Sequence, residues 1–240
     1  MSTRPHVRSP RKLDWRHAVI LGAMALWYAI LIYTSRGIAG DTIVLMTAVA
    51  SIFTPMLALA SVEKHGVTGG DRAGQCRPPT GLARSILYPA VMVFAVLVGV
   101  ILLLDYTLLY RAKVWMHVIL VSLQAAYQAM LVWLIDWLGA GPRGRRIGAL
   151  ILFAVYPAVM LVYWFPREVS TAMEIILARA SLMVSYPALL FSPDEAPPVR
   201  TSDYTLPTFI GSLVYMTIAI ILGLAYMMHR HRRCKQRGYE

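Results

Sequence analysis

The sequence predicts an all-α, polytopic transmembrane helix bundle with six spans and a seventh apolar helix that is interfacial, re-entrant or spanning. Three observations predict this class. Of the 240 residues, 58% are hydrophobic and 15% are charged, whereas soluble domains are about 45–50% apolar and about 25% charged. The mean hydropathy is +0.59, and the apolar residues gather in runs of bilayer-spanning length. The basic residues cluster between alternate runs, as they do in membrane proteins. This composition excludes a disordered chain, and two cysteines are too few for a disulfide scaffold.

The apolar runs follow one another along the whole chain, and a spanning helix needs about 20 such residues. Six runs qualify, at 18–34, 42–61, 85–104, 114–137, 147–165 and 206–228. A seventh run, at 170–191, carries Glu174 and Arg179, and its Pro187 would kink or end a helix. We therefore expect six crossings, with 170–191 partly embedded, while a seventh crossing stays open.

The distribution of charge predicts the orientation, because basic residues prefer cytoplasmic segments. Most of the 23 lysines and arginines lie in the arm 1–17, the Gly/Pro-rich loop 62–84, the loop after the fourth run and the tail 229–240. Most acidic residues lie in alternate segments, above all the external segment 166–205. We expect one integral domain over 1–240, multi-pass in the inner (cytoplasmic) cell membrane, with both termini cytoplasmic. The net charge of +11 then reflects topology, so the lipid bilayer is the expected partner and nucleic acid is not.

The segments between the runs differ in character. Residues 65–81 are rich in glycine and proline and are predicted to be irregular, and residues 192–207 are predicted to form a proline-rich external strap. Cys76 and Cys234 are expected to be reduced thiols. Aromatic residues recur near the ends of the runs and are predicted to form an interfacial belt, which includes Trp15, Trp27, Tyr28, Tyr110, Trp115 and Trp133.

Ionisable residues inside apolar runs are the best pointers to function in such a chain. Asp136 closes the fourth run, either as a buried anchor between helices or subunits or as a helix-end carboxylate beside the following arginines. Asp105 ends the third run, where interfacial solvation is expected. Glu174 and Arg179 are five residues apart, about 140° around a helix, so they do not pair within it. Subunit contact is the favoured role for these two, with a pocket or solvent exposure as alternatives.

Polar residues also recur along the fourth run. His117 and Gln124 are seven residues apart and Gln128 is four further on, so the three share one helix face. Such a stripe commonly supplies hydrogen bonds between membrane helices. We expect no second buried histidine, and therefore no metal or cofactor bound by this chain alone. No catalytic residue is assigned, and the sequence contains neither a Gly-rich phosphate loop nor a nucleophile elbow.

Several short sequence segments occur in a characteristic order along the chain. They are Lys12-Leu13-Asp14-Trp15 before the first run, Gly40-Asp41 after it, Leu134-Ile135-Asp136 closing the fourth, Tyr156-Pro157 and Trp164-Phe165-Pro166 late in the fifth, and an external stretch before one last run and a basic tail. In this order, and in total length, the chain resembles the A subunit of the copper membrane monooxygenases, which oxidise methane, ammonia or short hydrocarbons.

The resemblance implies a trimer of three-subunit protomers that hydroxylates a small substrate, a short hydrocarbon or ammonia, with O2. It also implies that copper is held by the two partner subunits. This chain would then be a subunit that ligates no metal and shapes and scaffolds the site. Asp136, Glu174 and Arg179 would contact other subunits or support the site from behind.

Two other functions stay open. Length, span number and an external excursion before the last span also suit the six-span permease subunit of an ABC-type transporter. Against it, the irregular loop 65–81 occupies the place of the helical coupling segment that such permeases carry. A structural subunit of another membrane complex is the third possibility.

Overall fold

The computed structural model describes residues 15–34, 50, 52–61, 79–135, 143–144, 146–151 and 206–236. Every one of these residues except Arg111 is helical, and none of them belongs to a strand. Four of the described helices are long and apolar enough to cross a membrane. The all-α class is therefore confirmed for the described part of the chain, and four of its helices have the length and composition that a membrane span requires.

The helices follow the apolar runs. In chain order they are α1 (Trp15–Thr34), α2 (Ile52–Ser61), α3 (Pro79–Asp105), a 3-10 helix (Tyr106–Tyr110), α4 (Ala112–Ile135) and α5 (Leu206–Gln236). Four predicted spans, at 18–34, 85–104, 114–137 and 206–228, coincide with α1, α3, α4 and α5. The run at 42–61 is represented by α2 and residue 50. The run at 170–191 and most of the run at 147–165 lie outside the described residues.

Three helices extend into segments predicted to lie outside them. Helix α3 begins at Pro79, inside the segment 65–81 predicted to be irregular, because proline is tolerated in the first turn of a helix. Helix α5 accommodates Pro207 in the same way and continues to Gln236, so most of the tail 229–240 is helical. Helix α1 begins at Trp15, within the arm 1–17. Hydropathy marks where a helix leaves the apolar layer, whereas the helical hydrogen bonds continue through good helix formers such as arginine and lysine.

A short 3-10 turn reverses the chain between α3 and α4. The carboxylate Oδ1 of Asp105 accepts hydrogen bonds from the Thr107 backbone N at 3.0 Å and from the Thr107 hydroxyl at 2.5 Å. The Trp115 indole N–H donates to the Leu109 carbonyl at 2.7 Å. Asp105 therefore lies partly exposed at the end of α3, and its side chain caps the turn.

Helices α1 and α3 begin at the same end of the bundle. The rings of His17 and Tyr88 meet edge to face with centroids 5.5 Å apart. At the same end, the Ser61 hydroxyl donates to the Ser85 carbonyl at 3.1 Å, which joins the end of α2 to the start of α3. Because the 3-10 turn then reverses the chain, α4 runs back toward this end.

Helices α4 and α5 run in the same direction. The rings of Tyr127 and Tyr215 lie 6.3 Å apart, and further along both helices Gly223 packs against Met130. The absence of a side chain at Gly223 permits this approach, because a Cβ atom there would collide with Met130 Sδ. Both helices therefore finish at the end where α1 and α3 begin.

Helix α4 is the centre of the described bundle. Of its apolar window, 72% is buried, against 28% for α1, 28% for α3 and 17% for α5. The outer helices turn large apolar side chains outward, as Leu103 shows with 86% exposure. An apolar surface of this extent requires a lipid or protein environment. The fold thus places one enclosed helix inside helices whose outer faces are apolar.

Candidate functional site: a polar seam along α4

The enclosed helix α4 carries polar side chains where an apolar core would be expected. His117, Gln124 and Gln128 are each 0–1% exposed, and Ser122 is buried as well. The first three lie on the face that their spacing predicts. A buried polar group in an apolar surrounding costs free energy unless it is hydrogen-bonded. We call these four residues of α4, together with Tyr28 of α1 and Thr54 of α2, the polar seam.

The seam joins α4 to α1 through Tyr28 and His117. A hydrogen bond of 3.2 Å connects the Tyr28 hydroxyl with His117 Nε2, and the two ring centroids lie 6.0 Å apart. Tyr28 is 1% exposed, so its predicted place in the interfacial belt is wrong. Its spacing from Leu21, Met24 and Ile32 puts it on the inward face of α1 instead. A buried tyrosine hydroxyl needs a polar partner, and His117 provides it.

The seam joins α4 to α2 through Gln128 and Thr54. The Thr54 hydroxyl is hydrogen-bonded to Gln128 Oε1, and its oxygen also lies 2.7 Å from the Ala50 carbonyl oxygen. Both side chains are buried, with Thr54 1% exposed. In contrast, the buried Ser122 hydroxyl donates to the Val118 carbonyl of its own helix at 2.7 Å. Two side-chain hydrogen bonds of the seam therefore connect different helices, and they do so at different depths of α4.

A second histidine is fully buried. His17 is 0% exposed and packs edge to face on Tyr88 of α3, so the expectation of no second buried histidine is wrong. The sequence interpretation placed His17 in a basic arm, but α1 begins at Trp15 and carries residue 17 on its inward face. The inward spacing 17-21-24-28-32 on α1 was the signal that could have identified it.

The two buried histidines do not converge. His17 and the His117 partner Tyr28 are eleven residues apart on α1, which corresponds to about 16 Å along a helix. Among the described residues, no three histidines, cysteines or carboxylates gather as a metal site would require. The described residues therefore do not by themselves fit a copper centre. Asp136, Glu174 and Arg179 lie outside the described residues.

Trp133 also departs from the predicted belt. It is 3% exposed, on the enclosed helix, whereas Trp15 and Tyr110 at the helix ends are 70% and 84% exposed. The described aromatic residues thus include exposed side chains at helix ends, such as Trp15 and Tyr110, and buried ones that face inward, such as Tyr28 and Trp133.

The described hydrogen bonds of the seam between helices, Tyr28 with His117 and Thr54 with Gln128, hold α1 and α2 against α4. Comparison of the chain with protein-family models, with curated proteins and with solved structures finds no match.

Proposed function

We propose that this chain is an integral membrane subunit of a copper-dependent monooxygenase complex, in which it shapes and scaffolds the site and ligates no metal. One structural observation carries the proposal. Helix α4 is enclosed, and residues of its polar seam are hydrogen-bonded to α1 and α2 of the same chain. Helices α1, α3 and α5 present largely exposed apolar faces. This is the form expected of a subunit with a rigid centre and an outer surface available to other membrane subunits and to lipid.

The sequence landmarks support the same proposal. Lys12-Leu13-Asp14-Trp15 precedes the first span, and Leu134-Ile135-Asp136 closes the fourth, in the order of the monooxygenase A subunits. The common direction of α4 and α5 supports six crossings with both termini on one side of the membrane, because a seventh crossing between these helices would make them antiparallel.

The proposal assigns separate roles to the partner subunits and to this chain. Copper bound by the partner subunits would supply the activation of O2 for hydroxylation of a short hydrocarbon or ammonia. The residues of this chain hold α1, α2 and α4 together through the polar seam. They also exclude water from the centre of the bundle, where Leu120, Val121 and Ala125 are completely buried.

Purification from the native membrane tests the proposal. The affinity-tagged chain is solubilised in mild detergent, and the co-purifying proteins are identified by mass spectrometry while copper is measured per chain. Two further membrane-bound subunits and copper in fixed proportion are the expected result. An unrelated tagged protein from the same membrane controls for copper carried over nonspecifically.

A lone chain without copper would contradict the proposal. Recovery of an ATP-binding cassette protein would identify a permease subunit instead. Glu174→Gln and Arg179→Gln are expected to lower the recovery of the two partners, whereas the control Arg111→Gln, at an exposed residue of the turn before α4, is expected to retain them.

A further inference from the structure

Exposed arginines are concentrated at one end of the described bundle. At this end, α1 and α3 begin, and α4 and α5 end. We call it the basic end. Its exposed arginines among the described residues are Arg16, Arg84, Arg143, Arg146, Arg232 and Arg233. At the opposite end, the described residues include the exposed Arg111 and Lys113 together with the carboxylate of Asp105. The charge of the described helix ends is therefore strongly asymmetric.

Helix α5 carries two of these arginines beyond the apolar layer without a break. Its apolar run ends at Met228. About 20 residues of helix, at about 1.5 Å each, span the roughly 30 Å of the hydrocarbon core. The helix then continues to Gln236. Arg232 and Arg233 thus follow the last apolar residue, Met228, by four and five positions.

This spacing sets the depth of the two guanidinium groups. Four or five residues correspond to about 6–8 Å along the helix axis. The headgroup layer of one leaflet is about 5–7 Å thick. Arg232 and Arg233 are both exposed, so their side chains reach the layer that contains the lipid phosphates. A guanidinium group offers a planar pair of donors that matches a phosphate group.

We propose that the basic end is a binding surface for anionic phospholipid headgroups, with Arg232 and Arg233 on the α5 extension as its principal contacts. Arg16 and Arg84 lie in the first two turns of α1 and α3 at the same end and add to the positive potential there. The partner is a lipid, since the arginines lie at phosphate depth on a helix that is itself embedded in the bilayer. This inference does not depend on the monooxygenase proposal.

Lipid titration of the full-length chain in detergent tests the inference. The dissociation constants of anionic phosphatidylglycerol and of zwitterionic phosphatidylcholine with identical acyl chains are measured by native mass spectrometry, so that the two probes differ only in the headgroup. The wild-type chain is expected to prefer phosphatidylglycerol. In the double variant R232Q/R233Q, the ratio of the two dissociation constants is expected to fall about fivefold for each arginine removed. Both arginines are exposed, so the variant is expected to fold.

The matched control is R111Q/K113Q, which removes the same charge from the opposite end and is expected to retain the preference. The preference is also expected to disappear at about 1 M salt, where the screening length falls to about 3 Å. Equal losses in both double variants would mean that net charge alone attracts the lipid and would overturn the proposal. An unchanged preference in R232Q/R233Q would overturn it as well, and loss of an acidic protein partner from this variant would identify the basic end as a protein interface.

Discussion

The Tyr28 hydroxyl and His117 Nε2 lie 3.2 Å apart inside the apolar core, so one buried hydrogen bond joins α1 to α4. We predict that Tyr28→Phe, which removes this bond and keeps the ring, lowers the free energy of unfolding by about 0.6 kcal/mol and by no more than about 1.7 kcal/mol, the range found for hydrogen bonds between membrane helices. Reversible unfolding in mixed micelles with increasing denaturing detergent measures this change.

The control for this prediction is Tyr33→Phe, because Tyr33 lies on the same helix and is 82% exposed. A double-mutant cycle of Tyr28→Phe with His117→Leu isolates the coupling between the two side chains. Equal losses at residues 28 and 33, or a coupling energy of zero, would show that the bond does not stabilise the fold.

A second prediction concerns the attachment of α2. Thr54→Val keeps the shape of the side chain and removes the hydroxyl that is bonded to Gln128, so we expect a loss of about 1 kcal/mol of stability. Thr54→Ser retains the hydroxyl and loses only a methyl group. The same unfolding measurement compares them. A Thr54→Ser variant less stable than Thr54→Val would mean that packing, and not the hydrogen bond, holds α2 against α4.

Periodicity in the sequence predicted one side of the polar seam and left its partners unidentified. The spacing of His117, Gln124 and Gln128 is a property of α4 alone, and it assigned them to one face. The partners of that face on other helices depend on the crossing angles and relative depths of the helices. The sequence of a single apolar run does not encode either quantity. Tyr28 was interpreted as interfacial because tyrosine suits both a membrane interface and a core with a polar partner. His17 was missed because the start of α1 was placed three residues too late.

The third prediction tests the close approach of α4 and α5. In Gly223→Ala the added Cβ atom would meet Met130 Sδ and lie 2.9 Å from Met130 Cγ. Met130 is 2% exposed and has little room to move, so we expect a loss of about 1–3 kcal/mol of stability, as for other overpacked cores. Thermal denaturation in detergent, monitored by circular dichroism, measures the difference.

Gly99→Ala is the matched control, since no atom lies within 4 Å of a Cβ atom built there. Removing a glycine from the interior of a helix is expected to stabilise it by about 0.5–1 kcal/mol. The loss of stability caused by Gly223→Ala is also expected to be smaller in a Met130→Ala background. A stabilising Gly223→Ala would mean that α4 and α5 lie further apart than the structure places them.

The last prediction concerns which side of the membrane the basic end faces. Because basic residues prefer the cytoplasm, we predict that Arg84, at the start of α3, is cytoplasmic and that Tyr110, after the far end of α3, is external. In a background with Cys76→Ser and Cys234→Ser, single variants Arg84→Cys and Tyr110→Cys are treated in sealed cells with a membrane-impermeant maleimide. Both residues are exposed, so the thiols are accessible once the reagent reaches their side.

Labelling of Tyr110→Cys in sealed cells, and of Arg84→Cys only after permeabilisation, is the expected result. The pair Thr107→Cys and Arg232→Cys repeats the measurement on the 3-10 turn and on α5, and should follow the same division. The reverse pattern would invert the predicted orientation. Labelling of residues 84 and 110 from the same side would contradict a spanning α3, because α3 and the 3-10 turn separate them by a continuous apolar segment of membrane-crossing length.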